Sequence, residues 1–506
     1  MKQQVIQITI TLLLISHSPW VSAQLNDWSI GLSSERAQIR AQEIHATTPS
    51  APTILVIGGL EGPDGTQNSI QSVLDQYNQL SDEDKSTNLL TIPLANPDTE
   101  VLQFPPDGRA YAENSVSHSL WRWIGVHAPD LVIVIGPDGS GLQRAIENEP
   151  VSGIGTIPAM QLNPNKFSIN HILEYSNSAR SPARQEADRR IARSPDELAQ
   201  QLAQVYGHDF STPAYVPGMG LIGRLRLGYL DEIEELIATY LNGEPIEING
   251  PSVMAGQLLF AEHAEITGNP VSEQLVINAT SLAFDEQGNL REAMPYHAEM
   301  SDSVFMAPPL LVKAGKLTGD SRYFDMAASH VKFMQSLLLR NDGLYRHSPL
   351  ADVAWSRGNA FPALGLALVL SDLPDDHPAF ADLMQSYLAH LETLISFQDT
   401  DGLWRQVVDY PGSFPELSST SMIGIAIKRG LDRGWLDHAE FQPALDRIWR
   451  AVLIRTSFSS EFIDVCTSTG KLDSLDAYLD RLAIFGRDDR AGGMIMNLAI
   501  EMADYN

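Results

Sequence analysis

The chain has 506 residues, 43% of them hydrophobic, and its 34 Lys and Arg against 63 Asp and Glu give a formal net charge of −29. That length accommodates two or three domains with substantial cores. So acidic a surface repels nucleic acid and anionic membranes and disfavours both as partners, while a small anion can still bind where cations line a pocket. The single cysteine, Cys466, cannot form an internal disulfide.

In chain order, Met1-Lys2 leads into the apolar run Val5 to Ile15, and Val21-Ser22-Ala23 supplies small residues for cleavage before Gln24. This is the pattern of a secretory signal peptide over residues 1–23, too short to span a bilayer, and it predicts a periplasmic or secreted protein. No later stretch approaches about 18 continuous apolar residues, so no membrane insertion is expected. From residue 52 to 160, β-rich apolar runs alternate with helical patterns. Ile54 to Ile57 ends at Gly58-Gly59, Asn88 to Ile92 ends at Pro93, and Leu131 to Ile135 ends at Gly136, with helices predicted at Ile70 to Leu80 and Ser115 to Val126. That alternation predicts an N-terminal α/β domain with a mostly parallel sheet over residues 24–215. The polar segment Ser178 to Ser194 reads as an exposed connection or helix.

Near Pro213 to Gly223 the pattern changes, and helical periodicity dominates from residue 216 to 506. Leu258 to Ile266 leads to Thr267-Gly268-Asn269, a second helix and a closing turn at Gly288. Leu310 to Leu317 leads to Thr318-Gly319-Asp320, a second helix and a closing turn at Gly343. Helical hairpins repeating at about 50 residues must stack or close into a ring, because one hairpin cannot bury its own apolar face. Five hairpins can be traced; the sixth has no clear place in the sequence. The unusual residues sit in the loops after helix pairs, so function is expected at one mouth of the array.

Those loops and the helix starts beside them hold Tyr296-His297, Asp302, Tyr345-Arg346-His347 and Trp355-Ser-Arg357-Gly-Asn359-Ala-Phe361. Together they offer a proton donor, a clamp for an anion and flat faces for a sugar ring. Each has a second reading. Asp302 before an apolar run suits a helix N-cap. Arg357 suits a surface ion pair, His347 a hydrogen-bonded loop histidine, and Trp355 and Trp404 a core.

Six ordered pieces resemble the unsaturated glucuronyl and rhamnogalacturonyl hydrolases of glycoside hydrolase families 105 and 88. They are Asp302-Ser-Val-Phe-Met306, Gly343-Leu-Tyr345-Arg-His347, Trp355 to Phe361, Gly402-Leu-Trp404-Arg-Gln406, Glu416-Leu-Ser418-Ser-Thr-Ser421 and Val465-Cys466-Thr-Ser-Thr-Gly470. The resemblance implies an (α/α)6 toroid barrel needing no cofactor or metal. It implies hydrolysis of oligosaccharides ending in a 4,5-unsaturated uronic acid, by protonation of the vinyl ether and addition of water at C5. Asp302 matches the general acid/base, and its apolar neighbours suit a carboxyl that must begin protonated. His347 and Arg357 match substrate-binding positions suited to the uronate carboxylate. Trp355, Asn359, Phe361, Trp404, Ser418, Ser419 and Ser421 are carried over as substrate-binding too, and His297 is added by spacing. Phe361 stands where the family usually has tryptophan. Asn249-Gly250 falls where a second acid is expected, leaving Glu262 or Glu292 as substitutes.

The N-terminal half resembles zinc carboxypeptidases and succinylglutamate desuccinylase-like amidohydrolases through Ile54 to Gly59, Pro93-Leu-Ala-Asn-Pro-Asp98 and Tyr111-Ala-Glu-Asn114. Its frame Leu60-Glu61-Gly62-Pro63-Asp64 lacks the histidine of the zinc motif, which implies a non-catalytic companion domain. Two alternatives stay open: a zinc-dependent carboxypeptidase or deacylase in this half, and a carbohydrate-binding protein without catalysis.

Overall fold

The computed structural model describes residues 25–48, 50–175 and 179–503, so the expected signal peptide at 1–23 lies outside the described residues. The N-terminal unit comprises β1 (Asn26–Leu32), β2 (Gln38–Ile44), β3 (Thr53–Gly58), α1 (Thr66–Asn78), β4 (Asn88–Ile92), α2 (Ser115–His127), β5 (Leu131–Ile135), α3 (Leu142–Asn148), β6 (Ala159–Leu162), α4 (Ile169–Glu174) and α5 (Pro182–Ile191). Its sheet runs β1-β2-β4-β3-β5-β6. The β4-β3-β5-β6 portion is parallel, with Ile54 opposite both Leu89 and Leu131. These strands are apolar runs because both faces are covered by helices. The β1–β2 ribbon extends the sheet antiparallel at one edge.

The helical unit contains α6 (Pro195–Ala203), α7 (Tyr215–Arg226), α8 (Leu230–Leu241), α9 (Pro251–Gly256), α10 (Leu258–Thr267), α11 (Pro270–Thr280), α12 (Ser303–Met306), α13 (Pro308–Thr318), α14 (Arg322–Leu338), α15 (Ser356–Asp372) and α16 (Phe380–Ser396). After these come β7 (Trp404–Arg405), β8 (Pro415–Glu416), α17 (Leu417–Asp432), α18 (His438–Arg455), β9 (Phe462–Cys466), α19 (Leu475–Leu479), β10 (Ala483–Gly486) and α20 (Asp489–Met502). Helices α7, α10, α13, α15, α17 and α20 pack in succession, and α20 returns to α7 to close an inner ring. Most residues of these inner helices are buried, whereas α8, α11, α14, α16 and α18 each bury one stripe and form the outer layer.

The sixth outer helix is α6, which packs on α20 and, less extensively, α7. Its Leu198, Ala199, Leu202 and Ala203 belong to the barrel core, so the barrel's packing begins upstream of residue 216. The polar segment before it is helix α5. Arg190 and Arg193 there donate to the Ile454 and Leu453 carbonyls at 3.0 and 2.7 Å, satisfying the open C-terminal end of α18. Ile454 and Ile463 of the barrel also join the hydrophobic core that contains α2, so the two units share one interior.

The short helix α12 approaches the inner helix α15 unusually closely. A Cβ at Gly365 on α15 would collide with the Val304 carbonyl of α12, so glycine there is what lets the segment bearing Asp302 lie against the helix bearing Arg357.

Candidate active site

Asp302 occupies the N-cap position of α12, but its side chain makes no capping hydrogen bond. The carboxyl is therefore free for other work, although the residue is only 8% exposed. Asp302 Oδ1 lies 3.2 Å from Nε2 of the fully buried His347. The approach lacks hydrogen-bond alignment, and both atoms are buried without a hydrogen-bond partner. An unpaired buried polar atom costs free energy, and two of them facing each other, one on an acid, mark a candidate place for chemistry.

His347 is fixed from behind by Nδ1, 2.7 Å from the Tyr478 hydroxyl. Burial and the neighbouring Asp302 push the Tyr478 hydroxyl up to about 12, which keeps it protonated. That hydroxyl can donate to Nδ1 or accept from it, and donation leaves Nε2 to carry the ring proton toward Asp302. The imidazole also packs 4.4 Å from the Trp355 ring, and the Arg357 guanidinium lies 4.6 Å over the same indole.

Arg357 is 2% exposed, and it donates to Ser418 Oγ at 3.0 Å, the Cys466 carbonyl at 3.0 Å and the Thr467 carbonyl at 2.9 Å. A guanidinium has five N–H donors, so these three bonds leave two unused. Glu416, buried at the N-terminus of α17, stands 3.8 Å away and accepts from the Ser418 and Ser419 amides, the Ser418 hydroxyl and the Cys466 amide. Burial opposes the charge on Arg357, but Glu416 and its neighbours raise its pKa overall. Arg490 donates to the same Cys466 carbonyl at 3.1 Å. Burial raises the Tyr215 hydroxyl, Arg357 and Arg490 pull it down, and Asp302 adds to the rise. That half-buried phenol thus sits in the field of the acid and of the two cations.

The structure brings together Asp302, His347, Trp355, Arg357 and Ser418. Ser419 supports them through a 2.5 Å contact with Ser356. His297 is half-buried against Phe333, with ring centroids 5.1 Å apart, and burial lowers its pKa. Asn359, Phe361, Trp404 and Ser421, expected to bind substrate, are engaged within the protein. Asn359 uses both amide atoms to bind the Tyr345 and Trp355 backbone. Phe361 is buried between Phe305 and Tyr215. Trp404 is buried and its indole donates to the Leu394 carbonyl at 2.7 Å. Ser421 bonds back to the Leu417 carbonyl within its own helix. These side chains pack in the core or bond to backbone. Trp355 likewise offers its rings to His347 and Arg357 rather than to a sugar; the exposed aromatic on the segment leading to Asp302 is Tyr296.

Neither substitute for a second acid joins this group. Glu262 pairs with Arg226 at 2.7 Å in a cluster with Lys313; burial opposes its charge, but these cations lower its pKa to about 2. Glu292 is exposed. In the N-terminal unit, Glu61 accepts from the amide of Gly139 on another loop, and Asp64 accepts from the Thr66 amide two residues on, as turn residues do. Among the described residues no group of three or more His, Cys, Asp or Glu is arranged to hold a metal. Tyr215, Glu416, Tyr478 and Arg490 were not singled out from sequence. Glu416 stood inside a recognised motif, but the other three carry no local pattern.

The family model of Glycosyl Hydrolase Family 88 matches residues 227–505, more than half of the chain. The chain belongs to Glycosyl Hydrolase Family 88. Among its relatives is the unsaturated 3S-rhamnoglycuronyl hydrolase of Formosa agariphila, 28% identical over 171 residues, or 30% of this chain and 45% of that protein. Another is the unsaturated rhamnogalacturonyl hydrolase YesR of Bacillus subtilis, 24% identical over 36% of this chain and 58% of the relative. The chain thus aligns with about half the length of these relatives. A solved structure described as a possible GH105 family member from Klebsiella pneumoniae superposes with a TM-score of 0.54 at 20% identity, covering 62% of this chain and 93% of that one. The likeness establishes the toroid fold of this family member's helical unit.

Proposed function

We propose that this protein hydrolyses oligosaccharides whose non-reducing end is a 4,5-unsaturated uronic acid. The observation that carries the reading is the buried Asp302 carboxyl, free of any cap, set against His347 beside an arginine with two uncommitted donors. The names of the relatives point to the same substrate class. Asp302 gives its proton to C4 of the vinyl ether, and positive charge develops at C5 and the ring oxygen. Water then attacks C5 and returns a proton to the Asp302 carboxylate. The resulting hemiketal opens, and the bond from C1 to the rest of the saccharide is lost as an alcohol leaves. Attack on the anomeric carbon is not needed, so a second carboxylate at a fixed separation is not required either. Arg357, Arg490 and Tyr215 present positive charge and donors for the uronate carboxylate, which is attached to C5, the carbon that water attacks. Export through the leader would place the enzyme where polysaccharide fragments arrive.

The test is the ultraviolet absorbance of the conjugated double bond, followed with lyase-digested polysaccharides. It should fall with wild-type protein, and Asp302→Asn should slow the fall by about 1,000-fold or more while leaving the melting temperature near wild type. A folded D302N variant with full turnover removes Asp302 from the chemistry. Tight binding of the unsaturated sugar with no loss of absorbance by the wild type would instead select a binding protein.

A further inference from the structure

The N-terminal unit reaches the site that holds the anion. Tyr111 lies on the loop before α2, and its ring stacks on Phe414 of the barrel with centroids 5.0 Å apart and planes 8° from parallel. Its hydroxyl donates to Asp464 Oδ1 at 3.0 Å. Arg122 on α2 pairs with the same carboxylate oxygen, and both partners of that ion pair are buried. Arg122 also lies 5.1 Å from the Tyr111 ring centroid. Asp464 has φ of +67°, the left-handed region that a non-glycine residue keeps only when its surroundings hold it there.

These contacts fall on two short segments that meet at Arg357. Phe414 is two residues before Glu416, and Asp464 is two residues before Cys466. Glu416 accepts the Cys466 amide at 2.9 Å, tying the segments together, and Arg357 is fixed by Ser418, Cys466 and Thr467. Leu32 and Ala110 of the N-terminal unit share a hydrophobic cluster with Trp355, Phe414, Cys466 and Tyr478. The packing behind the anion clamp is therefore built by both units.

We infer that the N-terminal unit is a positioning element for the substrate site, and that Tyr111 and Arg122 are positioning residues that hold Arg357 through Asp464 and Phe414. Neither residue touches the reacting atoms. The inference rests on the proposed role of Arg357 as the carboxylate clamp. It assigns the N-terminal unit a task in binding rather than in chemistry, so its loss weakens hold on the uronate more than it slows proton transfer from Asp302.

Two variants separate the links. Tyr111→Phe keeps the stack on Phe414 and loses the bond to Asp464, whereas Tyr111→Ala loses both. Cys466, buried and the only thiol in the chain, reports on the β9 segment without reference to any substrate. Its modification by a disulfide reagent, measured well below each melting midpoint, should quicken about tenfold in Y111A and by less in Y111F. With an unsaturated disaccharide, Y111A should raise KM about tenfold while kcat stays within about threefold of wild type. Wild-type thiol reactivity in both variants, or a loss confined to kcat, overturns the inference. The two readings fail separately. A thiol response in a protein that turns over no unsaturated uronide removes the activity and keeps the mechanical link. Turnover with KM and thiol rates unchanged in both variants removes the link and keeps the activity.

Discussion

At the level of single residues, the site depends on which nitrogen of His347 carries a proton. Tyr478 bears on that through its 2.7 Å contact with Nδ1, and its own hydroxyl is kept protonated by burial. Tyr478→Phe preserves the ring packed beside His347, with centroids 5.7 Å apart, and removes only the hydroxyl. His347 is then free to exchange tautomers, and a lone pair on Nε2 would face the Asp302 carboxylate. Orienting partners of this kind are worth about tenfold or more in activity. We expect Y478F to lower kcat about tenfold with little change in KM, as measured by steady-state decay of absorbance. An unchanged kcat would mean that the Nδ1 contact does not set the state of the pair.

At the level of elements, the segment before Asp302 is held less by secondary structure than by a buried histidine. His330 on α14 accepts the Met294 amide at 3.1 Å and contacts Ser303 Oγ at 3.1 Å, joining the long loop to the helix start beside the acid. That loop contains three non-glycine residues with positive φ, Tyr296, Ala298 and Glu299. Burial, aided by His297, lowers the His330 pKa to about 3. The sign follows from proton uptake. Below the ordinary pKa of 6.5 the unfolded chain binds a proton that the folded protein refuses, so the contribution is complete above pH 6.5 and is lost as pH falls toward 3. Between pH 7 and 4 this one group accounts for about 3 kcal/mol of lost stability. His330→Gln, which cannot titrate, should show a shallower decline in urea-unfolding free energy over that range; an identical slope would remove His330 as the cause.

The same scale shows what the sequence made legible. The strands β3, β4 and β5 were read correctly because two covered faces make them unbroken apolar runs. The antiparallel strands β1 and β2 mix polar and apolar residues and gave no such signal. Asp302, His347 and Arg357 were legible because each sits in a short local motif. Tyr215, Tyr478 and Arg490 reach the same place from distant parts of the chain, and only the closed ring unites them. Trp404, Phe361 and Asn359 lie buried in the structure, and one physical reason hid this in the sequence. Residues beside or within inner helices that are buried nearly all round carry no periodic sign of which side faces the pocket.

For the whole molecule, the decisive feature is that the ring is completed from outside the stretch with clear helical repeats. Helix α6 precedes the first inner helix in sequence yet packs on the last, so the chain's order and the ring's order disagree. This is why five hairpins could be traced and the sixth could not. It also ties the stability of the barrel to the segment that links it to the sheet. Leu202 is fully buried in the barrel core, and truncating a buried leucine to alanine costs about 2–5 kcal/mol when the cavity cannot collapse. Leu202→Ala in the full chain should therefore speed hydrogen–deuterium exchange in α7 and α20, the two helices that α6 covers. Amides of β3 and β5 should keep their protection, since their core is formed by other residues. If α6 were merely a connector of the N-terminal unit, the pattern would reverse: the strands would exchange faster while α7 and α20 stayed protected.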